Sequence, residues 1–264
     1  MFKFKTPLRP KPPQKLKIKI REKVRADHLL VTLGIAENRS KAQAFIKDGH
    51  IFHGDVPIEK GGELFPADTI LDYKGKTHSW VSRGGLKLDY ALQFFNLSPE
   101  NKICMDVGAS TGGFTQVLLE KGASKVYAID VGHDQLDFSL QDDSRVINIE
   151  RMNARALTSV EIPEKIDVIV CDTSFISLIK VLETPLTFAQ KDAWLVALIK
   201  PQFEVGKGFV GKGGIVREPD LHEKSIQDVS IWLETQNWKI LGVTESPILG
   251  SNGNKEFLIA SIKL

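Results

Sequence analysis

Four charged residues stand where apolar stretches stop. Lys87 closes Ser82-Arg-Gly-Gly-Leu-Lys87, Asp172 follows Ile166-Asp-Val-Ile-Val-Cys171, and Lys200 follows Ala193-Trp-Leu-Val-Ala-Leu-Ile199. Glu256 opens the last apolar run, after the turn Ser251-Asn-Gly-Asn254. One charge at a strand end is commonplace. Two amines and two carboxylates of alternating sign, brought to one place, form a set in which burial and neighbouring charge can tune proton transfer.

A second constellation is a loop. Ile103-Cys-Met-Asp-Val107 reads as a short apolar strand, Thr115–Lys121 as a helix, and Lys125-Val-Tyr-Ala-Ile129 as a second strand ending in Asp130. Between the first strand and the helix lie Asp106, Gly108, Ala109, Ser110, Thr111, Gly112, Gly113 and Phe114. Glycines let the backbone approach a ligand and point its N–H groups at it. An acid about twenty residues on, here Asp130, accepts hydrogen bonds from ribose hydroxyls. The glycine spacing is G-x-x-x-G-G, whereas a nicotinamide dinucleotide needs G-x-G-x-x-G. Asp106 sits badly beside a pyrophosphate and well beside the ammonium of S-adenosylmethionine. Glycine-rich turns also close βα units that hold no ligand, but acids at both ends favour a cofactor site of the methyl-donor kind.

These residues need a scaffold, and the rest of the chain supplies one. Strands are expected at 103–107, 125–129, 145–149, 166–171, 194–199, 239–244 and 256–262, with helices at 86–95, 114–121, 133–140, 174–189 and 219–236. Alternating βα units imply a doubly wound sheet with ligands at the carboxyl ends of the strands. The 264 residues allow one sizeable domain and a small one, and 42% hydrophobic with 26% charged residues is ordinary for a globular protein. No apolar stretch approaches a membrane span, and the basic N-terminus lacks a secretory signal's apolar core. Cys104 and Cys171 lie inside apolar runs, as buried free thiols do, which points to the cytoplasm. The six histidines show no metal-ligand spacing, so no metal is expected.

Charge is unevenly spread. Residues 1–25 hold ten Lys or Arg and one acid, a surplus of +9, so the remainder carries −7 of the net +2. A basic, proline-broken arm on a mildly acidic body fits contact with a phosphate backbone, or a solvated tail. Next comes a compact unit. A helix is expected from Arg25-Ala-Asp27 to Gly34, another from Ser40, as N-cap, to Lys47, then Gly49, Ile51-Phe-His53 and short β segments through Tyr73. Arg25, Asp27, Gly34, Arg39, Ser40, Gly49, Ile51 and Gly54 together resemble the pattern of S4 RNA-binding domains, although His53-Gly54 stands where Asn-Gly is usual. Arg39, Lys41 and Lys47 are then either RNA contacts or a solvated helix face. Trp80 is expected to pack where the two units meet.

The alternating charges resemble the Lys-Asp-Lys-Glu tetrad of FtsJ-like ribose 2′-O-methyltransferases. Closer still, an S4 unit followed by SRGGLKL, DVGASTGGFT, DTSFISL, IKPQFEVGKG and GNKEF is similar to the TlyA family, whose members also carry the name hemolysin. The resemblance covers nearly the whole chain and leaves only the arm unmatched. Beyond that arm (1–23), it implies an S4-like αβ domain (24–76), a linker (77–81) and a Rossmann-like class I methyltransferase domain (82–264) with a mostly parallel seven-stranded sheet. It further implies 2′-O-methylation of cytidine ribose in ribosomal RNA, with S-adenosylmethionine as donor. Lys87, Asp172, Lys200 and Glu256 are then catalytic, Asp130 meets the cofactor ribose, Asn153 and Arg155 lie near the adenine, and Asp172 and Phe175 border the methionine end. The expected base is Lys200, whose pKa burial beside Lys87 would bring from about 10.4 towards 7–8.

Gly206-Lys-Gly-Phe-Val-Gly-Lys212-Gly213 nearly spells a Walker A loop, but Gly213 stands where Ser or Thr should hold magnesium. A lid whose Lys207, Lys212 and Arg217 touch RNA fits better, with Arg25, Arg39, Lys41 and Arg83 as further RNA contacts. The expected partners are ribosomal RNA or ribosomal subunits, with no membrane and a monomer. Two other classes stay open: an S4-type RNA-binding protein with a non-catalytic methyltransferase fold, and a hemolysin.

Overall fold

The computed structural model describes residues 23–74 and 79–264. The basic arm up to residue 22, the last two residues of the expected S4-like domain and the first two of the expected linker (75–78) lie outside the described residues. The N-terminal unit runs β1 (Lys23–Arg25), α1 (Ala26–Thr32), α2 (Arg39–Lys47), β2 (Ile51–His53), β3 (Val56–Pro57), β4 (Leu64–Pro66) and β5 (Asp72–Tyr73). Leu29, Leu30, Ala42, Ile46, Ile51 and Ile58 close its small core. The N-cap of α2 is Asn38, not Ser40: the Asn38 carboxamide oxygen accepts from the Lys41 N–H at 2.9 Å.

Asp27 anchors this unit. Its fully buried carboxylate accepts from Arg25 (2.8 Å), Arg39 (3.0 Å) and Gln43 (2.8 Å). The Arg25 hydrogen bond leads the effects that hold its pKa well below the carboxylate range, against the cost of desolvation. Its folded pKa is depressed, so the stabilisation is complete at neutral pH and is lost only as pH falls below about 4. Asp27→Ala is expected to cost about 2–3 kcal/mol, because it removes charge-assisted bonds and leaves an unfilled site. Thermal melts at pH 7 that match wild type within 0.5 kcal/mol would remove this role.

The larger unit comprises α3 (Gly84–Phe95), β6 (Ile103–Val107), α4 (Gly113–Glu120), β7 (Lys125–Ile129), α5 (Phe138–Gln141), β8 (Val146–Ile149), β9 (Ile166–Cys171), α6 (Leu178–Leu182), β10 (Ala189–Ile199), α7 (Pro201–Glu204), α8 (Pro219–Thr235), β11 (Trp238–Glu245) and β12 (Phe257–Lys263). One seven-stranded sheet has the order β11-β12-β10-β9-β6-β7-β8. β8, β7, β6, β9 and β10 run parallel, while β12 lies antiparallel to both β10 and β11. Both faces are covered: Val117, Leu118 and Leu88 pack on one, and Leu178, Leu182, Val229 and Leu233 on the other. Strand order reverses beside β6, between β7 and β9, which is where doubly wound sheets open a crevice at their carboxyl edge.

Three expectations are corrected. The helix expected at 133–140 shrinks to Phe138–Gln141, because the Glu150 carboxylate takes the N–H groups of Asp134, Gln135 and Leu136 at 2.5, 2.9 and 3.1 Å. The one expected at 174–189 splits into α6 and a 3₁₀ turn at Pro185–Phe188. Glu204 fixes its start by accepting from the Leu178 N–H (2.9 Å) and the Ser177 hydroxyl (2.7 Å), and Phe175 is left-handed with φ 68°. Trp80 belongs to the core of the larger unit with Leu88 and Phe114. Its ring occupies space that only a residue without a side chain leaves free, since a Cβ on Gly85 would lie 2.9 Å from the Trp80 Cδ1.

Candidate active site

Strand direction brings the four charges together. β9 and β10 are parallel, so Asp172 and Lys200, one residue past their ends, share an edge. β12 is antiparallel to β10 and pairs Phe257 with Ile199, so Glu256 enters at the same edge. Lys87 arrives from the first turn of α3. Lys87 Nζ lies 2.6 Å from Glu256 Oε2 and 3.9 Å from Asp172 Oδ2, while Lys200 Nζ lies 2.5 Å from Asp172 Oδ1. The result is one alternating chain, Glu256–Lys87–Asp172–Lys200. Lys87, Lys200 and Glu256 are at most 7% exposed, so these contacts act with little screening by water. Glu256 also fills the space beside Gly250, where a side chain would collide with its carboxylate.

Lys200 departs from expectation. Burial lowers its pKa, but the carboxylates of Asp172 and then Glu256 outweigh burial, and the net shift is upward. The resting group is an ammonium, which also donates to the Ser174 hydroxyl at 3.0 Å. Asp172 sits well below the carboxylate range: desolvation pushes it up, but Lys200 and Lys87 prevail. Lys87 was expected to depress Lys200. Instead Asp172 stands between the two amines and shields one from the other.

Above the network lies a cavity of about 380 Å³ lined by Gly108, Ser110, Asp130, Asn153, Asp172 and Phe175, within the range of nucleoside-sized pockets. Its floor is the glycine loop. Gly108 has φ 85°, and a Cβ there would lie 2.9 Å from the Asp172 carbonyl oxygen, so only glycine leaves the cradle open. The Asp130 carboxylate accepts from Ser110 N–H (2.8 Å) and Gly132 N–H (2.6 Å) and retains lone pairs towards the cavity. Ala109, Thr111, Gly113 and Phe114 line the adjoining catalytic slot, along with Ser82, Arg83, Lys87, Lys200 and Glu256. The donor set fits a nucleoside with a cationic tail: an acid for ribose hydroxyls, loop amides, and Asp172 at the junction. Asp130→Ala is expected to weaken S-adenosylmethionine binding by about tenfold or more, from the loss of charge-assisted hydrogen bonds. Calorimetric affinity equal to wild type would take Asp130 out of the site.

Two loop residues lie elsewhere than expected. Asp106 is fully buried behind the loop and lines neither cavity. One oxygen accepts from the Thr115 hydroxyl at 2.7 Å, the other lacks a hydrogen bond, and burial pushes its pKa up to about 7. It braces the turn and does not reach a ligand directly. Gly112 (φ 95°) turns towards Leu136 and Leu140, so packing and backbone shape, not cofactor contact, require glycine there. Arg155 is exposed outside the cavity that Asn153 lines.

The expected RNA contacts are scattered. Arg25 and Arg39 pair with Asp27 yet stay about half exposed, at 44% and 58%. Lys41 stands 5.9 Å over the Phe138 ring of the larger unit, Lys207 and Lys212 are exposed beyond α7, and Arg83 lies inside the catalytic slot. Sequence reading missed Ser174, although it lies within the DTSFISL motif. It also missed Asp48, whose buried carboxyl accepts from the Thr111 hydroxyl at 3.3 Å and is pushed up to about 6 by burial. No sequence pattern announces that the end of α2 reaches the glycine loop.

A doubly wound sheet with a glycine loop, a ribose-facing acid and a buried charge network defines an S-adenosylmethionine-dependent methyltransferase. A family model described as FtsJ-like methyltransferase matches residues 80–263, and the chain belongs to that family. It is 42% identical to the 16S/23S rRNA (cytidine-2′-O)-methyltransferase TlyA of Mycobacterium tuberculosis, across 90% of this chain and 89% of that one. It is equally 42% identical to Hemolysin A of Brachyspira hyodysenteriae, across 89% and 98%. A solved candidate hemolysin from Streptococcus thermophilus aligns with a TM-score of 0.71 at 40% identity, covering 91% of this chain and 88% of that one. Among the described residues no helix is long and apolar enough to cross a membrane.

Proposed function

We propose that this chain methylates the 2′-hydroxyl of a cytidine ribose in ribosomal RNA. The carrying observation is the Glu256–Lys87–Asp172–Lys200 network, buried at the junction of the donor cavity and the catalytic slot. Bound S-adenosylmethionine supplies a methyl on a sulfonium, ready for in-line displacement. A ribose hydroxyl is a weak nucleophile, so the protein must place its oxygen and remove its proton. Lys200 is the amine at the reacting edge. Asp172 and Ser174 hold its Nζ in place, and the Lys87–Glu256 pair supports Asp172 from behind. Since Lys200 rests as an ammonium, the reactive fraction is the small one that has lost its proton, and it grows with pH. The N-terminal unit, read as S4-like, and the basic arm would bring the RNA.

The test is transfer of labelled methyl from S-adenosylmethionine to ribosomal subunits, followed by alkaline digestion. A 2′-O-methyl group removes the internal nucleophile of alkaline cleavage, so label is expected in alkali-resistant dinucleotides. Label in mononucleotides would place the methyl on a base and contradict the proposal.

A further inference from the structure

Gly108, Ser110, Asp172 and Lys47 line both the donor cavity and the catalytic slot, and Lys47 alone of these comes from the N-terminal unit. It is the last residue of α2. The chain then turns away through Asp48 and Gly49, whose φ of 75° ends the helix. The Asp48–Thr111 hydrogen bond at 3.3 Å ties that helix end to the glycine loop, and Gly49 faces the Arg83 side chain. Lys47 is therefore aimed into the cleft. It keeps accessible surface there, while Lys87 and Lys200 are both at most 7% exposed.

The charges decide what it awaits. Lys87 and Lys200 are balanced by Asp172 and Glu256, each in contact distance of an opposite charge. Among the described residues, Lys47 makes no ion pair and no hydrogen bond. Desolvation, and then the Lys200 charge, lower its pKa against the pull of Asp172 and Asp48, neither of which forms an ion pair with it. The methyl donor also carries a carboxylate, and Arg83, which lines the slot beside the glycine loop with a buried Nε that lacks a hydrogen bond, is a second cation available to it. RNA brings another anion. The 3′-phosphate is bonded to the carbon next to the one carrying the 2′-hydroxyl, so a ribose presented to Lys200 brings a phosphodiester to the rim of both cavities. A lysine ammonium is a point charge suited to such an oxyanion.

We propose that Lys47 is a positioning residue for the acceptor: it binds the phosphodiester next to the target ribose, and through it the N-terminal unit completes the active site. This rests on the RNA methyltransferase reading above. The N-terminal unit then sets the position of the reacting nucleotide as well as carrying RNA.

Full-length Lys47→Met and Lys47→Arg should be compared with wild type in single-turnover methylation of ribosomal subunits, with calorimetry of S-adenosylmethionine alone. Lys47→Met keeps the length of the side chain and removes its charge. It is expected to lower the rate at saturating RNA about tenfold, and to make the slope of log(rate/KM) against log[salt] shallower by about one. Its cofactor affinity should stay within twofold and its melting temperature unchanged, and Lys47→Arg should keep the wild-type rate within threefold. An active wild type matched by Lys47→Met in rate and salt slope would overturn this inference alone. So would a Lys47→Met loss of cofactor affinity equal to its loss of rate, which would give the cation to the donor. A wild type that binds S-adenosylmethionine but methylates no RNA would overturn the parent reading as well.

Discussion

Lys200→Ala is expected to slow single-turnover methylation by about 10²–10⁴-fold, the usual worth of a positioned proton acceptor. Cofactor affinity should change only a few-fold, because Lys200 lines the catalytic slot and not the donor cavity. Alanine also strands the Asp172 carboxylate, so Lys200→Arg is the necessary companion. Arginine preserves the charge that pairs with Asp172, but its guanidinium, with a pKa above 12, cannot take up the proton. It should fold like wild type and fail like alanine. An active Lys200→Arg enzyme would move the proton elsewhere, with Asp172 next in line.

Asp172→Asn is expected to act in two directions at once. The maximal rate should fall about 10–100-fold, because Lys200 and Lys87 lose the group that stands between them. The pH profile should move the other way. In wild type, the rate should rise roughly tenfold per pH unit from neutrality and level off only above the ordinary lysine range, since the Lys200 pKa is raised. Removing the carboxylate that contributes most to that rise leaves burial opposed chiefly by Glu256, so the plateau should arrive at lower pH. Lys87 keeps its partner Glu256 at 2.6 Å, which favours a folded variant, and thermal melts would verify that. A profile identical in shape to wild type would mean that Lys200 is not the group whose proton controls the rate.

The parts of this molecule that sequence revealed best are those where one physical rule dominates. β6, β7 and β9 lie at their expected bounds because strands covered on both faces are continuous apolar runs that end at a charge. Those same ends predicted the juxtaposition of Asp172, Lys200 and Glu256, since a doubly wound sheet gathers its carboxyl edge. What sequence hid was set by distant side chains. Glu150 and Glu204 consume backbone donors that would otherwise have continued helices, and neither is a local signal. The Lys200 pKa went the opposite way because its sign depends on Asp172 Oδ1 being 2.5 Å away, a distance no spacing encodes. Asp106 looked like a ligand group by its place in the loop, yet Thr115 turns it inward. In sequence Lys47 is one of three cations open to reading as RNA contacts or as a solvated helix face, and only the docking of α2 against Thr111 gives it an address.

Nucleoside mass spectrometry of ribosomal subunits incubated with S-adenosylmethionine and either wild type or Lys200→Arg tests the central claim most directly. 2′-O-methylcytidine is expected with wild type and none above background with Lys200→Arg, from proteins of equal cofactor affinity. A methylated base in place of a methylated ribose, or equal yields of 2′-O-methylcytidine from the two proteins, would contradict that claim.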